Sequence, residues 1–179
     1  WSAEYGPERA PTVGMNAPDG PLKSAGLSRT SSLLQVVRDA ASKGPPESKR
    51  RWFSTPKARK GLVGVIFYSA TCRVWNWGGV WTFPRLLNDH GVPIVFVYIS
   101  EYAVTDSDEL TDSRYVPVVD QPKEENWKAA NCLLFGVPMV AAALGWRPDR
   151  VDQYVDGMDR ALETAYESAP WRVYVLDAA

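Results

Sequence analysis

Cysteine and histidine are almost absent from this chain: 179 residues hold two Cys and one His. That scarcity excludes a domain stapled by several disulfides, a zinc site of four cysteines or of paired cysteines and histidines, and any mechanism that needs two histidines. An excess of one charge is also lacking. Twenty Lys and Arg stand against 21 Asp and Glu, a formal net charge of −1, which argues against nucleic-acid binding through overall basicity. No run of about 18 or more apolar residues occurs, so no transmembrane segment is expected, and residues 1–20 lack the pattern of a signal peptide. The expectation is a cytoplasmic or otherwise soluble protein without a metal site. At 45% hydrophobic and 23% charged residues, the length suits one core.

Two regions of different texture follow one another. Residues 1–60 are rich in Pro, Gly, Ser and charge, and read as an N-terminal extension, mostly loop, with one short helix at Leu33, Leu34, Val36 and Val37 capped by Thr30 or Ser31. The basic stretch Lys43 to Lys60 reads as a solvated insertion, with an anion-binding or nucleic-acid-binding patch as the alternative. Residues 61–179 read as an α/β domain. Leu62 to Tyr68 and Ile94 to Ile99 are short continuous apolar runs, as expected of central parallel strands covered on both faces. Residues 73–90 between them predict a crossover helix, weak at Gly78-Gly79 and ended by Gly91, with His90 beside the helix end. A helix interrupted near Gly136 and Pro138 is predicted over 122–145, a strand over Arg150 to Asp156, a short helix over Met158 to Glu167 and a last strand over Arg172 to Asp177.

Phe67-Tyr68-Ser69-Ala70-Thr71-Cys72 puts a cysteine at the carboxyl end of a buried strand, just before a helix. Amides at a helix N-terminus stabilise a thiolate, so the expectation is a thiol of lowered pKa, with the Ser69 and Thr71 hydroxyls near the same sulfur. A small core residue is the alternative for Cys72, and helix capping the alternative for Ser69 and Thr71.

This segment resembles the active-site segment of the iodothyronine deiodinases, which usually carry selenocysteine where Cys72 stands. Three further blocks agree in order. Val13 to Asp19 is similar to the entry into the thioredoxin-like part of that family and of the related peroxiredoxins; Val97 to Asp106 is similar to its Tyr-Ile-Glu-Glu-Ala-His block; Val155 to Val175 is similar to its Val-Asp-x-Met-Asp to Pro-Glu-Arg-Leu-Tyr-Val stretch. The resemblance implies a thioredoxin-like fold and reductive deiodination of an iodinated aromatic substrate. It implies no bound cofactor and an external thiol as reductant. It implies Cys72 as nucleophile, Ser69, Tyr98 and Glu101 as a proton relay, Thr71 as the hydroxyl neighbour, Arg172 as a clamp for an anionic group, and Pro170 as a cis proline shaping the pocket. It also implies a sheet lacking the family's last strand and helix, with an exposed edge or a fragmentary chain. Expected partners are a small aromatic molecule and a thiol reductant, with a homodimer as an option and no nucleic acid.

The departures keep alternatives open. Ala103 stands where the family has histidine, Arg73 and Val74 replace prolines, and Arg160 and Glu163 replace asparagines. A peroxiredoxin-like thiol peroxidase is one alternative. A catalytically silent thioredoxin-like binding module is another. For single residues, Tyr98 has a core-aromatic reading, Glu101 and Asp106 a loop-acid reading, and Arg172 a reading as partner of Asp156 or Asp159. Cys132 reads as a buried structural thiol or a resolving cysteine, and Trp75, Trp77 and Trp81 as pocket wall or packed helix face.

Overall fold

The two apolar runs lie side by side in the middle of one mixed sheet. The computed structural model describes residues 10–44, 61–72, 74–101, 121–168 and 171–179. Its strands are β1 (Pro21–Ser24), β2 (Thr30–Ser32), β3 (Leu62–Tyr68), β4 (Ile94–Tyr98), β5 (Gln153–Asp156) and β6 (Trp171–Asp177), in the order β2-β1-β5-β4-β3-β6. β3 pairs in parallel with β4, and β4 with β5, whereas β6 runs antiparallel to β3 and forms one edge. The chain is therefore α/β, as expected.

Alternation along β3 explains its continuous apolarity. Ile66 and Tyr68 point into one core with Trp75, Val80, Phe96, Tyr98 and Val140, while Val63, Val65 and Phe67 point into a second with Leu33, Val36, Val37, Leu162 and Tyr166. Helix α1 (Leu33–Lys43) and the short α5 (Ala161–Ala165) cover the second face; α2 (Val80–Asp89), α3 (Glu125–Asn131) and α4 (Val137–Leu144) contribute to the first.

Local chemistry sets several boundaries. Ser32, one residue beyond the predicted caps, accepts the Gln35 amide at 3.2 Å and starts α1. The Gly78-Gly79 pair lies in a π-helical turn, Trp75–Gly79, that leads into α2. Gly91, at φ +69°, follows the last turn of α2 in the left-handed conformation that glycine adopts without strain. A second π-helical turn, Cys132–Gly136, joins α3 to α4, so Glu125–Leu144 is one interrupted but unbroken helical stretch. An 18-residue window within it has a mean hydropathy of 1.4, long and apolar enough to cross a membrane by composition, and 56% of that window is buried inside the fold.

The hairpin β1–β2 lies where sequence predicts mostly loop. β1 pairs antiparallel with β5, so these N-terminal residues complete the same sheet. The 45–60 part of the basic stretch lies outside the described residues.

Gly136 makes the packing under the sheet testable. A Cβ there would fall 2.1 Å from the Tyr68 hydroxyl oxygen and 3.3 Å from Gln153 Oε1. Tyr68 is fully buried and donates to Gln153 Oε1 at 2.5 Å, so its ring cannot swing away without breaking that bond. Gly136→Ala is expected to destabilise the fold by about 1–3 kcal/mol, read as a lower denaturant midpoint with an unchanged slope.

Candidate active site

Strand register brings the site together. Tyr68 is level with Tyr98 on one side and Trp171 on the other, and Tyr98 is level with Val155, so β3, β4 and β5 end, and β6 begins, along one rim. Ligands of parallel sheets bind at such carboxyl ends.

Just past β3 and β4, three predicted residues meet. Glu101 Oε2 accepts the Ser69 hydroxyl at 2.8 Å, the Thr71 hydroxyl at 2.8 Å and the Thr71 amide at 3.0 Å, and the two hydroxyl oxygens lie 3.0 Å apart. All three side chains are buried, Glu101 at 6% exposure. The solvated loop-acid alternative for Glu101 is thereby excluded, and the Ser69 and Thr71 hydroxyls both donate to its carboxylate. The Glu101 amide donates to Gln121 Oε1 at 3.0 Å, while its second oxygen, Oε1, has no hydrogen-bond partner among the described residues. Burial pushes the Glu101 carboxyl above the ordinary range; the Ser69 and Thr71 bonds, and more weakly the Lys128 charge, pull it back only in part.

Cys72 follows in the same turn, its amide donating to the Ser69 carbonyl at 3.3 Å. Its thiol departs from expectation. Burial pushes the pKa up; hydrogen bonds from the Trp75 and Val74 amides lower it by less, and the Glu101 charge raises it further. The helix-terminus effect exists, but loss of hydration at 2% exposure outweighs it.

Tyr98 is a fully buried core ring at 5.7 Å from Tyr68, and its hydroxyl has no partner among the described residues, so no link from Tyr98 to Glu101 is seen. Arg172, half-buried at the start of β6, pairs with neither Asp156 nor Asp159. Asp156 instead accepts the amides of Gly157, Leu162 and Glu163, and Asp159 that of Ala161. Pro170, Arg73 and the segment 102–120, with Ala103 and Asp106, lie outside the described residues, and with Pro170 the expected cis bond.

Cys132 is buried and donates to Gln153 Oε1 at 3.0 Å; burial pushes its thiol up to about 12, the behaviour of a structural thiol. Both cysteines are free. Trp75 packs between Tyr68 and Trp171 as a core residue, and Trp81 is exposed beneath Arg85. His90 caps the carboxyl end of α2.

Sequence reasoning missed a second layer of charge beside this network. Glu163 accepts the Ser100 amide at 3.0 Å and the Ser100 hydroxyl at 2.7 Å, and pairs with Arg160; buried Lys128 donates to the Gly157 carbonyl at 3.2 Å. In the sequence Arg160 and Glu163 stand out only as differences from the pattern that the segment resembles. No group of three or more His, Cys, Asp or Glu arranged to hold a metal occurs among the described residues. A groove of about 1080 Å³ along β6 and α1, and a cavity of about 230 Å³ beside the β1–β2 hairpin, are lined by neither Cys72 nor Glu101.

No family model matches the chain, and no curated protein does. Among solved structures, it is similar to a hypothetical protein from Sinorhizobium meliloti at 15% identity and a TM-score of 0.47, over 94% of this chain and 67% of that one.

Proposed function

We propose that this chain is a thiol-dependent oxidoreductase with a thioredoxin-like fold, which reductively removes iodine from an iodinated aromatic substrate with Cys72 as nucleophile. The observation that carries this reading is the buried carboxyl of Glu101, bonded to Ser69 and Thr71 one residue from the thiol. A β3 flanked by parallel β4 and antiparallel β6, with the cysteine at its carboxyl end, supports the fold assignment.

The chemistry requires a thiolate and a proton source together. The thiolate takes iodine from the ring carbon as a sulfenyl iodide, and the electron pair left on carbon collects a proton. An external thiol then displaces iodide from sulfur to give a mixed disulfide, and a second thiol frees Cys72. The sum is aryl iodide plus two thiols giving arene, iodide, a proton and a disulfide. Glu101 holds the proton, Ser69 and Thr71 connect it to the nucleophile's turn, and Arg172, with no acidic partner among the described residues, offers a guanidinium to an anionic group of the substrate.

Iodide release from iodinated tyrosines and thyronines, measured with excess dithiol, tests the reading; thiol-dependent iodide is expected. Peroxide consumption without iodide release would instead identify a peroxiredoxin-like enzyme. One observation favours a silent binding module: burial and the raised pKa keep the Cys72 thiolate scarce at neutral pH. That reading gains if neither iodide release nor peroxide consumption is seen.

A further inference from the structure

We propose that Glu163 is a positioning residue, whose carboxylate grips both donors of Ser100 and so holds the adjoining Glu101 against Ser69 and Thr71. The inference rests on Glu101 being the proton carrier, but the grip is a matter of geometry. Ser100 is the second residue past the end of β4, at 7% exposure, and its amide and hydroxyl donate to different oxygens of one carboxylate, at 3.0 and 2.7 Å. Two bonds from one rigid group fix the backbone at Ser100 in direction as well as position, and Glu101 is the next residue.

Glu163 is itself held from three sides. Asp156, at the end of β5, accepts the amides of Leu162 and Glu163 and fixes the first turn of α5; Arg160 pairs with Glu163 from its own helix start; Lys128 of α3 ties down the Gly157 carbonyl. Arg160 adopts a left-handed φ of +56°, a conformation costly for a residue with a side chain and held here by its surroundings. The groups facing Glu163 are therefore Arg160, Lys128 and Asp156, and those facing Glu101 are Lys128, Cys72, Tyr68 and Cys132. The two glutamates are driven apart. Glu163 lies below the ordinary range through Arg160 and Ser100, despite burial, and Glu101 lies above it. One stays charged and holds, while the other is free to exchange a proton.

The test is a carbon-13 NMR titration of the Glu101 carboxyl in the intact chain, assigned by its loss in Glu101→Gln. Ser100→Ala removes one leg of the grip without changing any charge, and Glu163→Ala removes both legs. In both, the Glu101 midpoint is expected to fall toward the ordinary glutamate range as the side chain gains water, more in Glu163→Ala. Thiol-dependent iodide release should fall at least about tenfold. A Glu101 midpoint unchanged in folded Ser100→Ala overturns the proposal, and that variant decides even if Glu163→Ala does not fold. Because the titration needs no substrate, a wild type that releases no iodide rejects the proposed function while the midpoint still decides on the grip.

Discussion

Cys72→Ser is expected to lower thiol-dependent turnover by on the order of 10³-fold or more, because a serine oxygen can neither accept iodine as a sulfenyl iodide nor pass through a mixed disulfide. The substitution is close to isosteric at a position 2% exposed, and the new hydroxyl has the Trp75 and Val74 amides beside it. Stability should therefore change by no more than about 1–2 kcal/mol, which separates loss of chemistry from loss of fold. Circular dichroism and a denaturant midpoint close to wild type must accompany the lost turnover. Cys132→Ser is the control. That thiol is held by Gln153 and pushed up to about 12, so turnover with excess dithiol should survive its loss. Iodide release persisting in Cys72→Ser would reject the nucleophile, and its loss in Cys132→Ser would assign that cysteine a redox role.

Features that depend on local pattern were legible in the sequence. Leu62 to Tyr68 is a strand with the predicted bounds: six hydrophobic residues and Gly64 without a polar break, rich in β-branched and aromatic side chains, suit a short strand buried on both faces. Gly91 ends its helix as read, and Cys132 is buried as its apolar neighbours suggested. What remained hidden depends on partners distant in sequence. β2 is Thr30-Ser31-Ser32, a polar triplet with no alternation, and its hairpin is extended only because β1 finds an edge at β5. Glu163, 63 residues from Ser100, carries no local mark of the bonds it makes. The sign of the Cys72 shift was misread for a related reason: the helix start is visible in sequence, but the depth of burial that outweighs it is set by the whole fold.

Glu101→Gln tests both sides of the raised carboxyl. The form of the wild type poised for turnover holds one mobile proton, on Cys72 with Glu101 ionised, since burial lifts both groups and a thiol ordinarily titrates above a carboxyl. Turnover needs that proton moved off sulfur and then delivered to carbon. It should therefore rise with pH as Glu101 ionises and fall as Cys72 loses its own proton, a bell whose limbs belong to the coupled pair. Glutamine can still accept from Ser69 and Thr71 but carries no exchangeable acid. The limb that follows Glu101 ionisation is expected to vanish, turnover to drop by about 10²- to 10⁴-fold, and the remaining activity to climb only at the higher pH where the thiol itself titrates. That thiol should also ionise at lower pH than in the wild type, because the Glu101 charge that raises it is gone. Stability should move the other way. A carboxyl raised in the folded state contributes stability fully present below its unfolded pKa and lost as pH rises through its folded pKa. Glu101→Gln removes that loss, so at neutral pH the variant should unfold at a higher denaturant concentration than wild type, and at low pH at a similar one. An acid limb that survives in Glu101→Gln would transfer the proton-carrying role to another group, and a neutral-pH midpoint below wild type would mean that the buried carboxylate is held for stability rather than chemistry.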